Sequence, residues 1–291
     1  MIWLFFAILG PFVWAISNLI DDELADVEIK SPFALISTGG FFAVIPLVIF
    51  SFFGGLAWPG VTLVLLCAAS SVVGISILYF YYKALTLTDP AHVLLMWNLA
   101  PVFTVILALI FLHVDLEIWH YLAVGILIFS SLIAAYKKGL RLSKNNALFW
   151  TLIASLFSGI EAIVNKSIFE QIDFPVAIVW MSLFSVLISL FFFISLRQVR
   201  KTYRHIIRSG IWKIMGLNEL LDLGACLSID YAVNLGPVVL VKAVEGIQPL
   251  FVIALGYLFV KREKKEMQFS LWQLIISALL AIIGLALIKE I

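Results

Sequence analysis

The chain has 291 residues, of which 63% are hydrophobic and 13% are charged, and its formal net charge is +1. This composition excludes a soluble globular domain and is typical of an integral membrane protein. A bilayer core of about 30 Å needs about 20 apolar residues per helix, so the chain has room for about ten spans joined by short loops. The two cysteines, Cys67 and Cys226, lie in apolar segments with no metal-type spacing, and no cofactor is predicted.

Ten apolar segments are predicted to span the membrane. The first five are Ile2 to Ile20, Pro32 to Phe53, Gly60 to Leu85, Pro90 to Leu112 and Ile118 to Tyr136. The last five are Asn146 to Lys166, Phe174 to Leu196, Ile211 to Leu235, Pro237 to Val260 and Phe269 to Lys289. No linker is long enough to hold a soluble domain. The opening MIWLFF lacks the basic region of a signal peptide, so we expect the first segment to remain as a helix.

The two halves of the chain align with each other. Three groups match in order: Ala15, Ile16 and Asn18 with Ala162, Ile163 and Asn165; Pro32 and Ala34 with Pro175 and Ala177; Ala84, Pro101 and Phe103 with Ala232, Pro249 and Phe251. Apolar sequences also align by chance, but matched prolines argue against that explanation. Because each half holds an odd number of spans, the alignment predicts two repeats of opposite orientation, which are common in transporters. The repeats would cover residues 1–136 and 146–291, with a basic connector at 137–145.

Two matched prolines mark the predicted repeat interface. Pro101 and Pro249 are expected to break their helices at equivalent places, because proline lacks an amide hydrogen and clashes with the preceding turn. Broken helices in corresponding positions of two halves point to a binding site between them.

The chain resembles the drug/metabolite transporter superfamily, and in particular its EamA type. The resemblance is carried by YYKALTLTDPAHVLLMWNLAPVFTVILALIFL in the first half and SIDYAVNLGPVVLVKAVEGIQPLFVIALGYLFV in the second. It implies an all-α integral membrane fold of ten transmembrane helices, arranged as two inverted five-helix repeats around a central cavity. It also implies a small-molecule substrate, in a range that includes amino acids, drugs and nucleotide sugars.

Loop charges predict the orientation. Most lysine and arginine residues fall in loops on the side opposite the N-terminus, whereas the N-terminal side holds little beyond Lys166 and Lys289. The positive-inside rule then places both termini outside, in a plasma (inner) membrane. Many relatives are thought to keep both termini inside, so either this chain is inverted or one predicted span is wrong. We follow the charges.

The segment from Ile211 to Leu235 carries a stripe of acidic residues. Asp222 and Asp230 follow Glu219 at +3 and +11 and share one helical face with Cys226. Ionisable residues inside a span indicate a functional site. Glu219 and Asp222 lie one turn apart, so we expect one of them to hold a proton in a low dielectric. The two acids would either relay protons or hydrogen-bond neighbouring helices.

The next span adds a basic residue to this set. Lys242 and Glu245 are three residues apart, and Gln248 precedes the predicted break at Pro249. Lys242 and Asp230 lie at similar depth on either side of the connecting turn, so they would form either a structural ion pair or part of a site. Glu245, beside the broken backbone, is the stronger candidate for the site.

The sixth span carries a polar stripe of its own, formed by Ser158, Glu161 and Asn165. In the repeat alignment an aromatic residue of the first half is aligned with an acid of the second at three places: Trp14 with Glu161, Tyr82 with Asp230, and Trp97 with Glu245. Asn18 is aligned with Asn165. One half of the cavity is thus predicted to be aromatic and the other acidic, which favours a cationic substrate. Alternatively, Trp14 and Trp97 belong to the interfacial aromatic belt.

The remaining charged residues are not assigned to a binding site. Lys83, His92 and Lys166 lie near span ends and are expected to snorkel to the interface. The acidic run DDELADVE is interpreted as a solvated loop. The basic run from Arg197 to Arg208 is expected to lie on anionic lipid and does not require a nucleic-acid partner.

These observations favour a secondary transporter that moves a small polar metabolite or drug by alternating access, with an amine, amino acid or cationic compound preferred. Coupling to protons is predicted from the buried acids, and a monomer is expected. No P-loop sequence is present, so ATP is not the direct energy source. An anion or nucleotide-sugar exchanger that uses Lys242 is the first alternative. A membrane-embedded enzyme is the second, although the sequence shows no nucleophile or metal motif.

Overall fold

The computed structural model describes residues 2–25, 32–85, 87, 97, 99–114, 116–135, 147–259 and 271–289. These residues are almost entirely helical, and no β-strand occurs among them. Two features singled out in the sequence, the basic connector at 137–145 and His92, lie outside the described residues.

Six α-helices occur among the described residues of the first half. In chain order they are α1 (Ile2–Ala25), α2 (Pro32–Phe42), α3 (Val44–Phe50), α4 (Val61–Leu85), α5 (Ala100–Leu107) and α6 (Ile118–Ala135). Two π-helical turns, Ser51–Gly55 and Ala108–Leu112, extend α3 and α5. The predicted second span is therefore a composite of α2, α3 and a π-helical turn. Apolar composition predicted its length but contained no signal for these changes of backbone geometry.

The part of the second half that the structure describes contains seven α-helices. In chain order they are α7 (Ala147–Phe169), α8 (Phe174–Ser195), α9 (Arg197–Ser209), α10 (Trp212–Leu235), α11 (Val238–Glu245), α12 (Gln248–Phe259) and α13 (Leu271–Lys289). Helix α9 corresponds to the basic run, for which the sequence analysis predicted no secondary structure. Val199 and Ile206 are buried on one face of α9, while Lys201 and Arg204 are exposed on the other. Gly210, with φ of 76°, ends this helix.

Within the described ranges, five helical segments are long and apolar enough to cross a membrane: Pro32–Gly55, Val61–Ala84, Ala147–Phe169, Phe174–Ser195 and Val238–Gly256. Shorter apolar helices occur at Ile2–Asn18, Ala100–Leu112, Ile118–Ala134 and Trp272–Ile288. Helix α10 has a comparable length but carries three carboxyl side chains, Glu219, Asp222 and Asp230. Such a helix is stable in a membrane only if its charged face points towards other helices.

The two matched prolines begin helices instead of interrupting them. Pro101 is the second residue of α5 and Pro249 the second residue of α12, a position where the missing amide hydrogen costs little. The break in the ninth predicted span lies just before Pro249, at Gly246 and Ile247, between α11 and α12. Ser131 of α6 donates a hydrogen bond to the Gly246 carbonyl oxygen, which compensates for part of the interrupted helix.

The helices pack in pairs that join the two halves of the chain. Helix α1 packs along α10, α4 along α7, α2 along α8, and α6 along α13. Small residues permit the close approach: a Cβ atom at Gly10 of α1 would lie 2.6 Å from Ile229 of α10, and one at Gly284 of α13 would lie 2.7 Å from Leu127 of α6. The polar faces of α7, α10 and α11 are thereby turned towards the centre.

Candidate functional site

A central cavity of about 420 Å³ lies between helices from both halves, a size typical of small-molecule sites. Its lining includes the polar candidates from the sequence together with both candidate tryptophans: Trp14, Asn18, Trp97, Glu161, Asn165, Glu219, Asp222, Asp230, Lys242, Glu245 and Gln248. Pro101 and Pro249 line a small recess next to the cavity, which shares Trp97, Lys242 and Glu245 with it. The structure therefore brings together residues that are far apart in the sequence.

Lys242 forms an ion pair within its own helix. Its Nζ atom lies 2.7 Å from Oε2 of Glu245 and 3.4 Å from the hydroxyl oxygen of Ser158, and both charged side chains are buried. The alternative pairing of Lys242 with Asp230, considered from their similar depths, is not the one formed. The i,i+3 spacing within α11 places Glu245 closer, since residues three apart face the same side of a helix.

Asp230 is instead held by a hydrogen-bonded chain across three helices. Ser70 of α4 donates to Oδ1 of Asn165 at 2.5 Å, and Nδ2 of Asn165 donates to Oδ1 of Asp230 at 3.1 Å. Both ends of the Asn165 amide are therefore engaged. This chain connects α4, α7 and α10 at the level of the cavity.

Glu161 lies against the surface of α4 at a glycine, which has no side chain. A Cβ atom at Gly74 of α4 would lie 2.6 Å from Oε1 of Glu161, so only glycine leaves room for the carboxyl group there. In this position Glu161 interacts electrostatically with Lys242, Asp230 and Glu245. The three acids and the lysine form one cluster at the end of the cavity nearer the C-terminus of α10, which we call the inner end.

Glu219 and Asp222 lie further along α10, towards its N-terminus. The Ser17 hydroxyl group of α1 lies 2.8 Å from Oδ1 of Asp222 and 2.8 Å from Oδ1 of Asn218, and its single proton can be donated to only one of them at a time. A Cβ atom at Gly39 of α2 would lie 3.2 Å from Oε2 of Glu219, so this glycine provides space for the second carboxyl group.

Aromatic side chains form part of the cavity wall. Trp14 of α1, Tyr81 and Tyr82 of α4, and Trp97 line the cavity, and the rings of Tyr81 and Trp97 make a T-shaped contact at 5.5 Å between centroids. The cavity thus combines this aromatic wall with the carboxyl groups of α7 and α10.

The sequence profile of the EamA-like transporter family matches residues 1–136 and 145–289. The chain belongs to this family. It is therefore a multi-pass membrane protein of the drug/metabolite transporter superfamily. The resemblance drawn from the two sequence motifs is confirmed.

Among solved structures, 29 chains match this EamA-like protein. One of them, described as a crystal structure of a protein, shares 14% sequence identity with a TM-score of 0.70, and the match covers 97% of each chain. At this identity the likeness shows a shared fold. No curated protein matches the sequence.

Several residues of the EamA-like site were not predicted. Gly39 and Gly74 provide space for carboxyl groups, and Ser17 and Ser70 orient polar side chains of neighbouring helices. Serines inside apolar spans were the available signal, whereas the glycines required knowledge of the facing helix. The two cysteines also differ: Cys226 is exposed and lines the cavity, while Cys67 is 0% exposed.

An aromatic cluster fills the interior beyond the acids at the inner end. Tyr231, which follows Asp230 directly, contacts Phe6 of α1 and Phe174 of α8, with ring centroids 4.9 and 5.1 Å apart. Phe50 contacts Phe174 in turn at 5.7 Å. Phe6 and Phe174 lie near the N-terminal ends of α1 and α8, so the cluster lies near the end of α10 that carries Asp230.

Lys166 lies at the C-terminal end of α10. Its Nζ atom donates to the carbonyl oxygens of Val233 and Gly236, each at 3.2 Å, and lies 3.5 Å from Glu170. A cation at these carbonyl groups complements the negative end of the helix dipole of α10. Lys166 therefore fixes the end of the helix that carries the acidic stripe.

Proposed function

We propose that this protein is a secondary transporter that moves a small, positively charged metabolite or drug, such as an amine, an amino acid or another cationic compound, by alternating access. The observation that carries this proposal is the charge of the cavity. Five carboxyl side chains line it, and Lys242, the one basic side chain among the described lining residues, is paired with Glu245. A cationic substrate is thus the ligand that complements the remaining charge.

The aromatic wall supports the same substrate class. A cation placed between Trp14 or Tyr82 and the carboxyl groups of α7 and α10 would gain cation–π attraction in addition to ion pairing. Glu161, Asp230 and Glu245 are the proposed substrate-contacting acids at the inner end, with Asn165 and Gln248 as neutral hydrogen-bonding groups. Asn18 contributes a further amide group to the same cavity.

Ten spans in two inverted repeats, residues 1–136 and 146–291, are part of the proposal. Helix packing supports it: if α1 corresponds to α7 and α4 to α10, then the α1–α10 and α4–α7 pairs are equivalent. The α6–α13 pair then joins corresponding helices, and there Ser130 donates a hydrogen bond of 2.7 Å to the carbonyl oxygen of Ser277.

The proposed alternating access has one closed side. The aromatic cluster around Tyr231 is proposed to close the cavity on the side that holds the N-terminus. The loop charges favour a cytoplasmic location for the opposite side, where the exposed basic residues of α9 would lie, and hence an external location for both termini in a plasma (inner) membrane. In this arrangement the structure would represent a state closed towards the outside.

Proton coupling is proposed from the acids that face the cavity. A carboxyl group that binds a proton and a cationic substrate in turn would exchange one for the other across the membrane. Glu219 and Asp222 lie one turn apart on α10 and are suited to this role. Two nearby carboxylates repel each other in a low dielectric, so together they favour the binding of one positive charge, either a proton or a cationic substrate.

Transport by purified protein in vesicles tests the proposal. A radiolabelled organic amine should accumulate against its gradient when a pH gradient is imposed, and Glu161→Gln should abolish this accumulation. Glu117→Gln, which changes an exposed carboxyl group between the π-helical turn and α6, is the matched control and should transport normally. Accumulation that is unchanged after the pH gradient is collapsed would exclude proton coupling and leave amine transport intact.

The anion exchanger is the second candidate, since Lys242 lines the cavity. An anion would need to displace Glu245 from a contact of 2.7 Å and approach four other carboxyl groups. The first candidate requires no such displacement. Uptake of a sugar nucleotide that is lost in Lys242→Met, in the absence of amine transport, would favour the anion exchanger.

A further inference from the structure

The carboxyl groups of the cavity form two separate sets. The inner acid set, Glu161 and Asp230, lies beside the neutral Lys242–Glu245 pair. The outer acid set, Glu219 and Asp222, lies nearer the N-terminal end of α10. Each set therefore provides two carboxyl groups that are additional to the ion pair.

The separation of the sets follows from their shared helix. Asp222 and Asp230 are eight residues apart on α10, so their backbones are separated by about 12 Å at 1.5 Å per residue. The i,i+8 spacing also keeps both side chains on nearly the same face. A single small cation cannot contact both sets across this distance.

The stretch between the sets is uncharged. Cys226 lies one turn from Asp222 and one turn from Asp230, and its thiol is exposed to the cavity. Leu223 and Leu227 flank it on α10, and Ile75 and Leu78 of α4 line the same cavity. A ligand that extends from one set to the other therefore passes along apolar side chains, which suit methylene groups.

We infer that the preferred substrate of the transporter proposed above is a linear diamine, with one terminal ammonium group in each acid set and its methylene chain along Cys226. This inference rests on the proposed function. An extended chain advances about 1.2 Å per bond, so amines about nine to eleven bonds apart match the separation of the sets. Each ammonium group is then paired with carboxyl groups, and the chain contacts the apolar and aromatic walls.

A chain-length series on the unmodified protein tests this inference. Binding of diaminobutane, diaminohexane, diaminooctane, diaminodecane and diaminododecane to the full-length purified protein is compared with binding of monoamines of the same length. We expect affinity to be greatest at diaminooctane or diaminodecane, and to exceed that of the matched monoamine by about tenfold or more, because the second contact is intramolecular. Hydrophobic attraction alone would increase steadily with chain length for both series.

Substitution of one acid set tests its contribution. In Glu219→Gln/Asp222→Asn the advantage of the diamine over the monoamine should disappear, while the monoamine still binds the inner acid set. Glu117→Gln, outside the cavity, should retain the advantage. If the double variant fails to fold, the chain-length series on the wild-type protein still decides the question.

Thiol labelling gives a readout that is independent of affinity. Cys226 should react with a maleimide reagent in the ligand-free protein, and buried Cys67 should not. Diaminooctane should protect Cys226 by about tenfold in rate at saturation, because its chain lies over the thiol. Ethylamine, which fits in one acid set, should protect it far less.

The outcomes separate the two proposals. A maximum in the diamine series, with loss of that maximum in the double variant, supports the inference. Equal affinities for diamines and monoamines, or affinities that only rise with length, would overturn it and leave an amine transporter. Failure of every amine to bind, together with labelling of Cys226 that no amine alters, would overturn both the inference and the proposed function.

Discussion

The Nζ atom of Lys242 and Oε2 of Glu245 lie 2.7 Å apart, with each residue only 7% exposed. Both residues belong to one short helix, α11, that is buried along its whole length, so little solvent reaches the pair. Each charge is therefore compensated mainly by the other. The pair thus reduces the cost of placing a lysine beside an otherwise acidic cavity.

Removal of one partner should be more harmful than removal of both. Glu245→Gln or Lys242→Met leaves a buried charge with a weaker partner, and we expect a loss of about 3–5 kcal/mol in stability. The double variant Lys242→Met/Glu245→Gln should recover a large part of this loss. Thermal unfolding of the protein in detergent measures the effect, and additive losses in the double variant would show that the two charges do not depend on each other.

Gly74→Ala should impair transport without unfolding the protein. The new methyl group would lie 2.6 Å from Oε1 of Glu161 and would displace its carboxyl group from the cavity wall. We expect transport to fall about tenfold, as for a misplaced binding group. Gly125→Ala in α6 is the matched control, because a Cβ atom there meets nothing within 4 Å. Normal transport by Gly74→Ala would show that the position of Glu161 is unimportant.

Tyr203 should make the attachment of α9 sensitive to alkaline pH. Its hydroxyl group is 2.8 Å from Oγ1 of Thr38 on α2, and burial raises the pKa of Tyr203 from 10.0 to about 12. The folded state thus favours the neutral phenol. Its contribution to stability is complete below about pH 10 and is lost as the pH rises through about 12.

Tyr203→Phe tests this pH dependence. The variant should lose about 1 kcal/mol of stability at neutral pH, as expected for one hydrogen bond. It should also lack the part of the stability change that the wild-type protein shows between about pH 10 and pH 12. Identical pH profiles of unfolding for the two proteins would exclude a role for the phenol.

The orientation predicted from loop charges can be measured with fusions at the C-terminus. Alkaline phosphatase, which is active only outside the cytoplasm, should be active after Ile291, whereas a fluorescent protein that matures only in the cytoplasm should stay dark. The same two reporters inserted after Gly210, which follows α9, should give the reverse result. A fluorescent C-terminal fusion would place the termini inside and overturn the assignment.

The acidic stripe of α10 could be predicted because charges are rare in apolar segments and a helix of known pitch places them on one face. The partner of Lys242 could not be predicted in the same way. Similar depth in the membrane allowed Asp230 to be the partner of Lys242. In the structure, α7 places Asn165 within hydrogen-bond distance of Asp230, and Lys242 pairs with Glu245 instead. Contacts between helices depend on their packing, which one sequence does not encode in its local pattern.

Some details of backbone geometry could not be predicted from the sequence pattern either. The composite second span leaves no clear mark on apolar periodicity, and Gly39 and Gly74 resemble any other glycine in a span. The helix at residues 197–209 did have a signal in the sequence, because Val199, Tyr203 and Ile206 recur at helical spacing. In contrast, the approximate bounds of most helices followed from the length of the apolar segments, because the thickness of a bilayer limits that length.

The packing of α1 on α10 and of α4 on α7 means that the two halves interlock and do not stand side by side. Ser70 of the first half completes the hydrogen bonding of Asn165 in the second, and Ser17 does the same for Asp222. Neither half alone can satisfy the polar groups that it buries. The halves should therefore be recoverable as an active complex when they are produced as two separate polypeptides, and each should be degraded when its complement is missing.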